Sequence, residues 1–369
     1  MDLELSQSLP IRKLYSLKDI ALLSFALFIC NLNKLRNLCA DMNAKLTFQG
    51  APPHLNFKFE LSKEYMLKLK SESIIELQNY RLPQEFNEKV TKLICPLYSI
   101  VNQFLHNNPA LLDTTIDLRK IIVLSNDGSI NQAETQRKIM MNPNLSNNIR
   151  FASACAVCSV KNIAMLWNNM SESELEFYKT ASDKYNVYTP PLVMLWRDFL
   201  LNGKVDWPSN DEFFQYAPHF EGAYYIINKL DLKLREEKIA KCFEYALLHH
   251  IDLDIWLERM DERQKTELIQ SNAIGVLRSY LEWPRAIYLT NVANLLWQFI
   301  KPHDFVDFLW LIYDRIITEY GYYDYLNAAL EFLDKCPDDY WNHGDVAFEL
   351  NCLSDNLRRV VEKRNLKKD

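Results

Sequence analysis

Residues 150–174 read "RFASACAVCSVKNIAMLWNNMSESE", and this stretch decides how the rest of the chain is interpreted. Cys155 and Cys158 form a C-x-x-C pattern, which is typical of metal sites and of thiol redox sites. The same stretch has the apolar periodicity of a helix, then a break near 169–171 and the start of another helix. The stretch is therefore either a chemical site or a seam between packed helices that contains two thiols.

The apolar pattern that follows the two cysteines occurs in three places along the chain. Residues 30–42, 158–170 and 248–260 align without gaps as "CNLNKLRNLCADM", "CSVKNIAMLWNNM" and "LHHIDLDIWLERM". Three aligned positions, separated by three and four residues, fall on one face of a helix. We call them the ridge residues, and they are Leu35, Leu38 and Met42, then Ile163, Leu166 and Met170, then Leu253, Trp256 and Met260. The pattern predicts that an adjoining helix covers each ridge. A looser fourth copy occurs at 299–312.

Two of the copies are followed by the signal for a new helix. Ser171 with Glu174, and Asp261 with Gln264, each place a capping side chain three residues before a Glu or Gln. Each pair begins directly after the methionine of its copy. Because ridge and cap recur together, the sequence predicts a repeated helical unit, although the copies are unevenly spaced along the chain.

The amino-acid composition excludes several fold classes. The chain has 369 residues, of which 49% are hydrophobic and 24% are charged, but only 7 are glycine. Rossmann units and phosphate-binding loops need glycines where the backbone turns sharply or approaches a ligand. The sequence therefore predicts an all-α fold, an irregular α-solenoid of stacked antiparallel helix pairs. The predicted helices lie at 17–42 (a pair), 63–79 and 84–107, and in most of 149–369.

Three segments interrupt the helical pattern. Residues 46–62 contain Pro52 and Pro53 and then alternate apolar with polar residues, which predicts a short extended or β segment. Residues 118–132 predict a strand that leads into an Asn-Asp-Gly turn. The polar residues 141–148 predict a linker. They would separate an N-terminal helical region, 1–140, from a C-terminal helical-repeat region, 149–369.

The net charge, the length of the apolar runs and the number of cysteines indicate which partners and which compartment to expect. The formal net charge of -6 argues against a general nucleic-acid binder, since such proteins present a basic face to phosphates. The first apolar run, 20–30, is much shorter than the roughly 20 residues that cross a bilayer. Eight cysteines scattered through a large apolar chain predict reduced, buried thiols. We therefore expect no membrane or nucleic-acid partner, and a location in the cytoplasm or the nucleus.

Candidate chemistry is sparse. A structural zinc site needs about four ligands, and the sequence offers neither a second C-x-x-C nor a C-x-x-H near Cys155 and Cys158. We therefore interpret both cysteines as core residues and expect no catalytic residue, metal or cofactor. The alternative is a metal-dependent or thiol redox enzyme that uses this pair, together with His249 or His250. His303 and His343 are interpreted as structural residues in or near turns.

Clusters of aromatic residues are the candidate binding surface. Large aromatic side chains with a polar tip dominate protein-binding hot spots, although stacked helix pairs also bury them as core. The predicted partner-binding residues are Phe213, Phe214, Tyr216, Tyr224, Tyr225, Tyr322, Tyr323 and Tyr325. The basic end of the chain, 356–369, is interpreted as a solvated helix end, with a localisation signal as the alternative.

The helix–turn–helix of "FASACAVCSVKNIAMLW" resembles the paired helices of an ankyrin repeat. Ala154 stands where that repeat has small residues, and Cys158 stands at the inter-helix position usually filled by glycine. Ile163, Met165 and Leu166 stand at the apolar positions of the second helix. Thr189, Pro190 and Leu192 are similar to the Thr-Pro-Leu opening of the family. No unit carries the full motif, and no period of about 33 residues occurs. The resemblance, over a third of the chain, implies a helical-repeat scaffold that binds another protein and has no catalytic residues.

Overall fold

A computed structural model of the chain describes residues 17–30, 63–106, 108, 111, 117–125, 128–180, 191–203, 220–249, 253–281, 284–317 and 323–365. These residues are mostly helical, and the only β pairing among them is an isolated antiparallel bridge between Leu124 and Ile130. The prediction of an all-α protein is therefore confirmed. The segment predicted to be extended, 46–62, lies outside the described residues, as do the ridge residues of the first copy.

The helices are named here in chain order. The first group is α1 (Leu17–Cys30), α2 (Lys63–Gln78), α3 (Gln84–His106), α4 (Leu118–Ile121), α5 (Gln132–Met141), α6 (Asn147–Ala156), α7 (Val160–Asn168), α8 (Glu172–Thr180), α9 (Pro191–Asn202), α10 (Phe220–Ile227), α11 (Leu232–His249) and α12 (Leu253–Leu257). The second group is α13 (Glu262–Ser271), α14 (Ala273–Ser279), α15 (Leu289–Leu296), α16 (Pro302–Ile317), α17 (Tyr325–Asp334), α18 (Asp338–Trp341) and α19 (Gly344–Asn365). Two 3-10 turns, Arg285–Tyr288 and Trp297–Phe299, flank α15.

The chain divides into two compact units. The first unit contains residues 1–13, 61–96 and 261–369. Within it α16 packs against α14, α17 and α19. The second unit contains 14–60 and 97–260, and in it α6 is the central helix, in contact with α5, α7, α9 and α10. The boundary predicted at 141–148 stays a prediction. There the chain makes a short turn between α5 and α6.

The strand predicted over 118–132 is wrong. Residues 118–121 form the helical turn α4, and Thr135 Oγ1 of α5 accepts a hydrogen bond from the backbone N–H of Val123 at 3.0 Å. Because a side chain satisfies this backbone donor, no partner strand is needed. Leu124 and Ile130 form an isolated bridge, and between them Gly128 has a φ of +88°.

The ridges are covered in both copies that the structure describes. Ile163, Leu166 and Met170 are buried. The same is true of the third copy, whose ridge residues are Leu253, Trp256 and Met260. Burying such side chains contributes about 1.5–3 kcal/mol each. The ridge residues are therefore buried in these two copies, with the two methionines in the turns that follow α7 and α12.

Both predicted helix caps are present. The Ser171 N–H donates to the Glu174 carboxylate at 2.8 Å, and the Glu174 N–H donates to Ser171 Oγ at 3.3 Å, which is a reciprocal capping box at the start of α8. At the start of α13, the Gln264 N–H donates to Asp261 Oδ1 at 2.8 Å. Each cap satisfies a backbone donor that the helix itself leaves unpaired.

Candidate functional site

The C-x-x-C pair lies where α6 ends in the centre of the second unit. Cys155 is 0% exposed and Cys158 is 7% exposed, so both thiols belong to the core. The backbone of Cys158 has a φ of +48°, in the left-handed region that glycine usually occupies after a helix. Its sulfur lies 3.8 Å from the carbonyl oxygen of Gly222 on α10. The turn after α6 therefore packs directly on α10.

The electrostatics of this seam oppose thiol chemistry. Burial raises the pKa of the Cys158 thiol to about 12, and it raises the pKa of Cys155 as well. Thiolate, rather than thiol, is the nucleophile and the metal ligand, so these cysteines are in their inert form near neutral pH. Within the described ranges, no group of three or more His, Cys, Asp or Glu side chains could hold a metal ion. His249 ends α11, and its side chain, like His250, lies outside the described residues.

Helix α10 is fixed in place by two contacts besides the seam. The guanidinium of Arg137 on α5 donates two hydrogen bonds to the carboxylate of Glu221, at 2.6 and 2.7 Å. Both bonds come from Nη2, while Nη1 pairs with Glu134 of α5, so this charge-assisted pair ties α10 to α5. Gly222 approaches α6 so closely that an added Cβ would lie 2.5 Å from the carbonyl oxygen of Ala156. These contacts determine which side of α10 faces away from the core.

The outer side of α10 carries an aromatic cluster. The rings of Phe220 and Tyr224 stack with centroids 5.4 Å apart and planes 10° apart, and Trp256 meets Phe220 edge-on at 4.8 Å. The next residue after Tyr224 is Tyr225, whose ring centroid lies 6.1 Å from that of Trp196 on α9. Phe220, Tyr224 and Tyr225 are half-buried, so each ring combines a packed side with an exposed edge. A surface of this kind is typical of contact sites for other proteins.

Two cations lie over these rings. The guanidinium of Arg259 is 4.8 Å from the centroid of Tyr224 and 6.0 Å from that of Phe220, and the ammonium of Lys229 is 5.0 Å from the centroid of Tyr225. Both cationic residues are exposed. Among the described residues, Arg259 makes no ion pair. We call Phe220, Tyr224, Tyr225, Lys229 and Arg259 the α10 surface.

The predicted binding residues have different positions in the structure. Tyr224 and Tyr225 belong to the α10 surface, and Tyr323 is half-buried in the first unit. Tyr325 is buried, and its hydroxyl donates to the carbonyl oxygen of Leu281 at 2.6 Å, which makes it a core residue. The remaining predicted residues, which lie outside the described part of the chain, are Phe213, Phe214, Tyr216 and Tyr322.

Sequence reasoning missed the cations of the α10 surface. Arg259 lies within the third copy of the repeated pattern, one position before the methionine of its ridge, so it points away from the buried face. The signal available in the sequence was the position of this Arg three residues after the Trp of the ridge. Its partner Tyr224, however, is far away in sequence, and no periodicity connects the two residues.

Neither a scan against models of known protein families nor a search of curated proteins returned a match for this chain. Among the described residues, no helix is both long and apolar enough to cross a bilayer.

Proposed function

We propose that this chain is a non-catalytic protein-binding scaffold and that the α10 surface contacts its partner. The observation that carries the proposal is the position of Arg259 over Tyr224, exposed and without an acidic partner among the described residues. The ring holds the guanidinium in place, so less side-chain entropy is lost when the guanidinium binds an acceptor. An anionic side chain next to an apolar one would fit this surface.

The proposal includes an architecture and a location. The buried ridges and the caps at Ser171 and Asp261 support a repeated unit in which each helix pair covers the next, as in an irregular α-solenoid of ankyrin-like pairs. Such a scaffold would act in the cytoplasm or the nucleus and would require no cofactor. The chain is acidic overall, with a net charge of -6, and the cations of the α10 surface would give a partner a local point of attachment.

The test is affinity capture with the full chain and two charge-reversal variants. Arg259→Glu removes the stacked cation, whereas Arg263→Glu makes the same charge change at an exposed residue that lies on no ring. We expect a protein bound in stoichiometric amount to the unaltered chain and to Arg263→Glu, and at least tenfold less of it bound to Arg259→Glu. Equal capture by all three forms, or no stoichiometric partner, would contradict the proposal.

The enzyme alternative predicts a different result for the cysteines. A redox or metal enzyme needs a reactive thiolate at Cys155 or Cys158, whereas burial keeps both protonated. In the folded protein we therefore expect iodoacetamide to label the half-buried Cys352 before either of them, as measured by mass spectrometry of peptides over time. Unfolding in urea should abolish the difference. Rapid labelling of Cys158 in the folded chain would favour the enzyme.

A further inference from the structure

Two histidines that are 40 positions apart in sequence meet at the surface of the first unit. His303 lies in the first turn of α16, and His343 lies in the turn directly before α19. Both side chains are exposed, and their ring centroids are 5.4 Å apart with planes at 90°. Neither residue takes part in the α10 surface, so the pair is independent of the proposed function.

The segments that carry the two histidines are tied together in the core. The Tyr340 hydroxyl donates to the carbonyl oxygen of Ile300, and the Tyr340 ring meets Phe305 at 5.6 Å. Tyr340 and Phe305 are buried. Each histidine therefore lies within three residues of a buried anchor, and these core contacts hold the two segments that carry the histidines together.

The distance between the rings suits shared ligation of one metal ion. A Zn–N bond is about 2.0–2.1 Å long, so two imidazoles on one tetrahedral ion have ring centroids about 5 Å apart. The observed separation of 5.4 Å is close to this value.

The charges around the pair also permit a cation. The amino ends of α16 and α19 carry partial positive charge, which opposes metal binding, but Asp304 and Asp345 occupy the first turns of these helices and offset it. Asp339 and Asp304 are also close enough to Tyr340 to help burial raise the pKa of its hydroxyl. These aspartates are near the histidines in sequence, and so is one exposed cation, Lys301.

We propose that His303 and His343 form a surface site for a late transition-metal ion of the Zn²⁺ class. Neutral imidazole is a good ligand for Zn²⁺, Cu²⁺ and Ni²⁺, and the affinity of nitrogen ligands is highest for Cu²⁺. Two protein ligands leave at least two positions for water. The site therefore binds more weakly than a structural site with four protein ligands, and its affinity falls at acid pH, because only the neutral imidazole is a ligand.

The test uses the full chain under reducing conditions and a Zn²⁺ titration against a chromophoric chelator. We expect the unaltered protein to bind one equivalent of Zn²⁺ with micromolar affinity. We expect binding weaker by more than about tenfold in both His303→Ala and His343→Ala, since even the loss of an outer-shell partner costs about that much. The control is His249→Ala with His250→Ala, which removes another histidine pair and should leave this equivalent unchanged.

A second measurement identifies the ligands directly. Cu²⁺ added at one equivalent should give an electron paramagnetic resonance spectrum with coupling to two imidazole nitrogens, reduced to one in either single variant. Circular dichroism checks that the variants fold, and His303→Asn and His343→Asn replace any alanine variant that does not. The proposal fails if the unaltered chain binds no Zn²⁺ at micromolar concentration. It also fails if the variants at 303 and 343 bind Zn²⁺ as tightly as the unaltered chain does.

Discussion

A Cβ atom at Gly222 would lie 2.4 Å from Cδ1 of Leu192 and 2.5 Å from the carbonyl oxygen of Ala156. The leucine side chain can rotate away, but the carbonyl belongs to the last turn of α6 and can move only with the helix. Close approach at this glycine is what allows α10 to lie on the turn that contains Cys158. The absence of a side chain at Gly222 thus allows α10, which carries the aromatic cluster, to pack closely against α6.

We predict that Gly222→Ala destabilises the protein by about 3 kcal/mol, at the upper end of overpacking costs, despite the higher helix propensity of alanine. The measurement is the free energy of unfolding in urea. Gly203→Ala is the matched control, since a Cβ there meets nothing within 4 Å and only the φ of +70° opposes it. That change should cost about 1 kcal/mol. Equal losses in the two variants would show that the steric argument is wrong.

Tyr325 gives a second prediction for a single side chain. Its buried hydroxyl donates to the carbonyl oxygen of Leu281 at 2.6 Å. Tyr325→Phe removes the donor and leaves a buried acceptor without it, so we expect a loss of about 1–2 kcal/mol in the free energy of unfolding. Tyr224→Phe makes the same chemical change on the α10 surface, where no hydroxyl partner occurs among the described residues, and should be nearly neutral. Calorimetric melting of both variants provides the comparison.

Among the helices, α8 and α13 begin in the same way after a buried methionine. Met170 is followed by the capping serine of α8, and Met260 by the capping aspartate of α13. The cap stops the chain from continuing the previous helix direction, while the buried methionine holds the turn against the core. Ridge and cap therefore act together to define the angle at which each new helix begins.

We predict that Ser171→Ala destabilises the second unit by about 1 kcal/mol, because the first turn of α8 loses its capping acceptor. Ser159→Ala is the matched control. Ser159 also precedes a helix, α7, but its hydroxyl accepts from the Asn162 side chain at 2.8 Å and caps no backbone N–H. We expect a smaller loss there. Amide hydrogen exchange in 172–175 should rise in Ser171→Ala alone, and an unchanged rate would contradict the assignment.

These helices also show which features can be predicted from the sequence. Ridges, caps and the all-α class depend on residues three or four positions apart, so the order of the amino acids is enough to predict them. The prediction of a strand over 118–132 was wrong: residues 118–121 are helical. In addition, the Thr135 side chain of α5 takes the backbone N–H of Val123, which a partner strand would have used. Local periodicity contains no information about such a substitute partner.

The candidate site was less predictable for the same reason. Tyr323 and Tyr325 have similar sequence surroundings, yet only Tyr325 is buried, and its hydroxyl donates to a carbonyl oxygen 44 positions away. Likewise, the pairing of Tyr224 with Arg259 joins two segments that the sequence treats separately. Aromatic richness could therefore be recognised from the sequence, but its division between core and surface depends on tertiary contacts.

Buried thiols occur in both units of the molecule. Burial raises the pKa of Cys95 in the first unit from 9.0 to about 11, and the pKa of Cys158 in the second unit from 9.0 to about 12. In the unfolded chain each thiol ionises near its ordinary pKa. Above that pH the unfolded state binds fewer protons than the folded state does, so the free energy of unfolding falls as pH rises.

We therefore predict that the contribution of these thiols to the free energy of unfolding is fully present below about pH 9. It declines between pH 9 and about 12, by up to about 1.4 kcal/mol per pH unit for each such thiol. Urea unfolding of the reduced protein at pH 8 and pH 10 measures the decline. Cys158→Ala removes one titrating group. The variant also loses packing in the core, but that lowers the free energy of unfolding equally at both pH values. The decline in this variant should therefore be smaller by about 1 kcal/mol. Because tyrosines and other bases titrate equally in both proteins, an identical decline would mean that Cys158 is exposed to solvent in the folded chain.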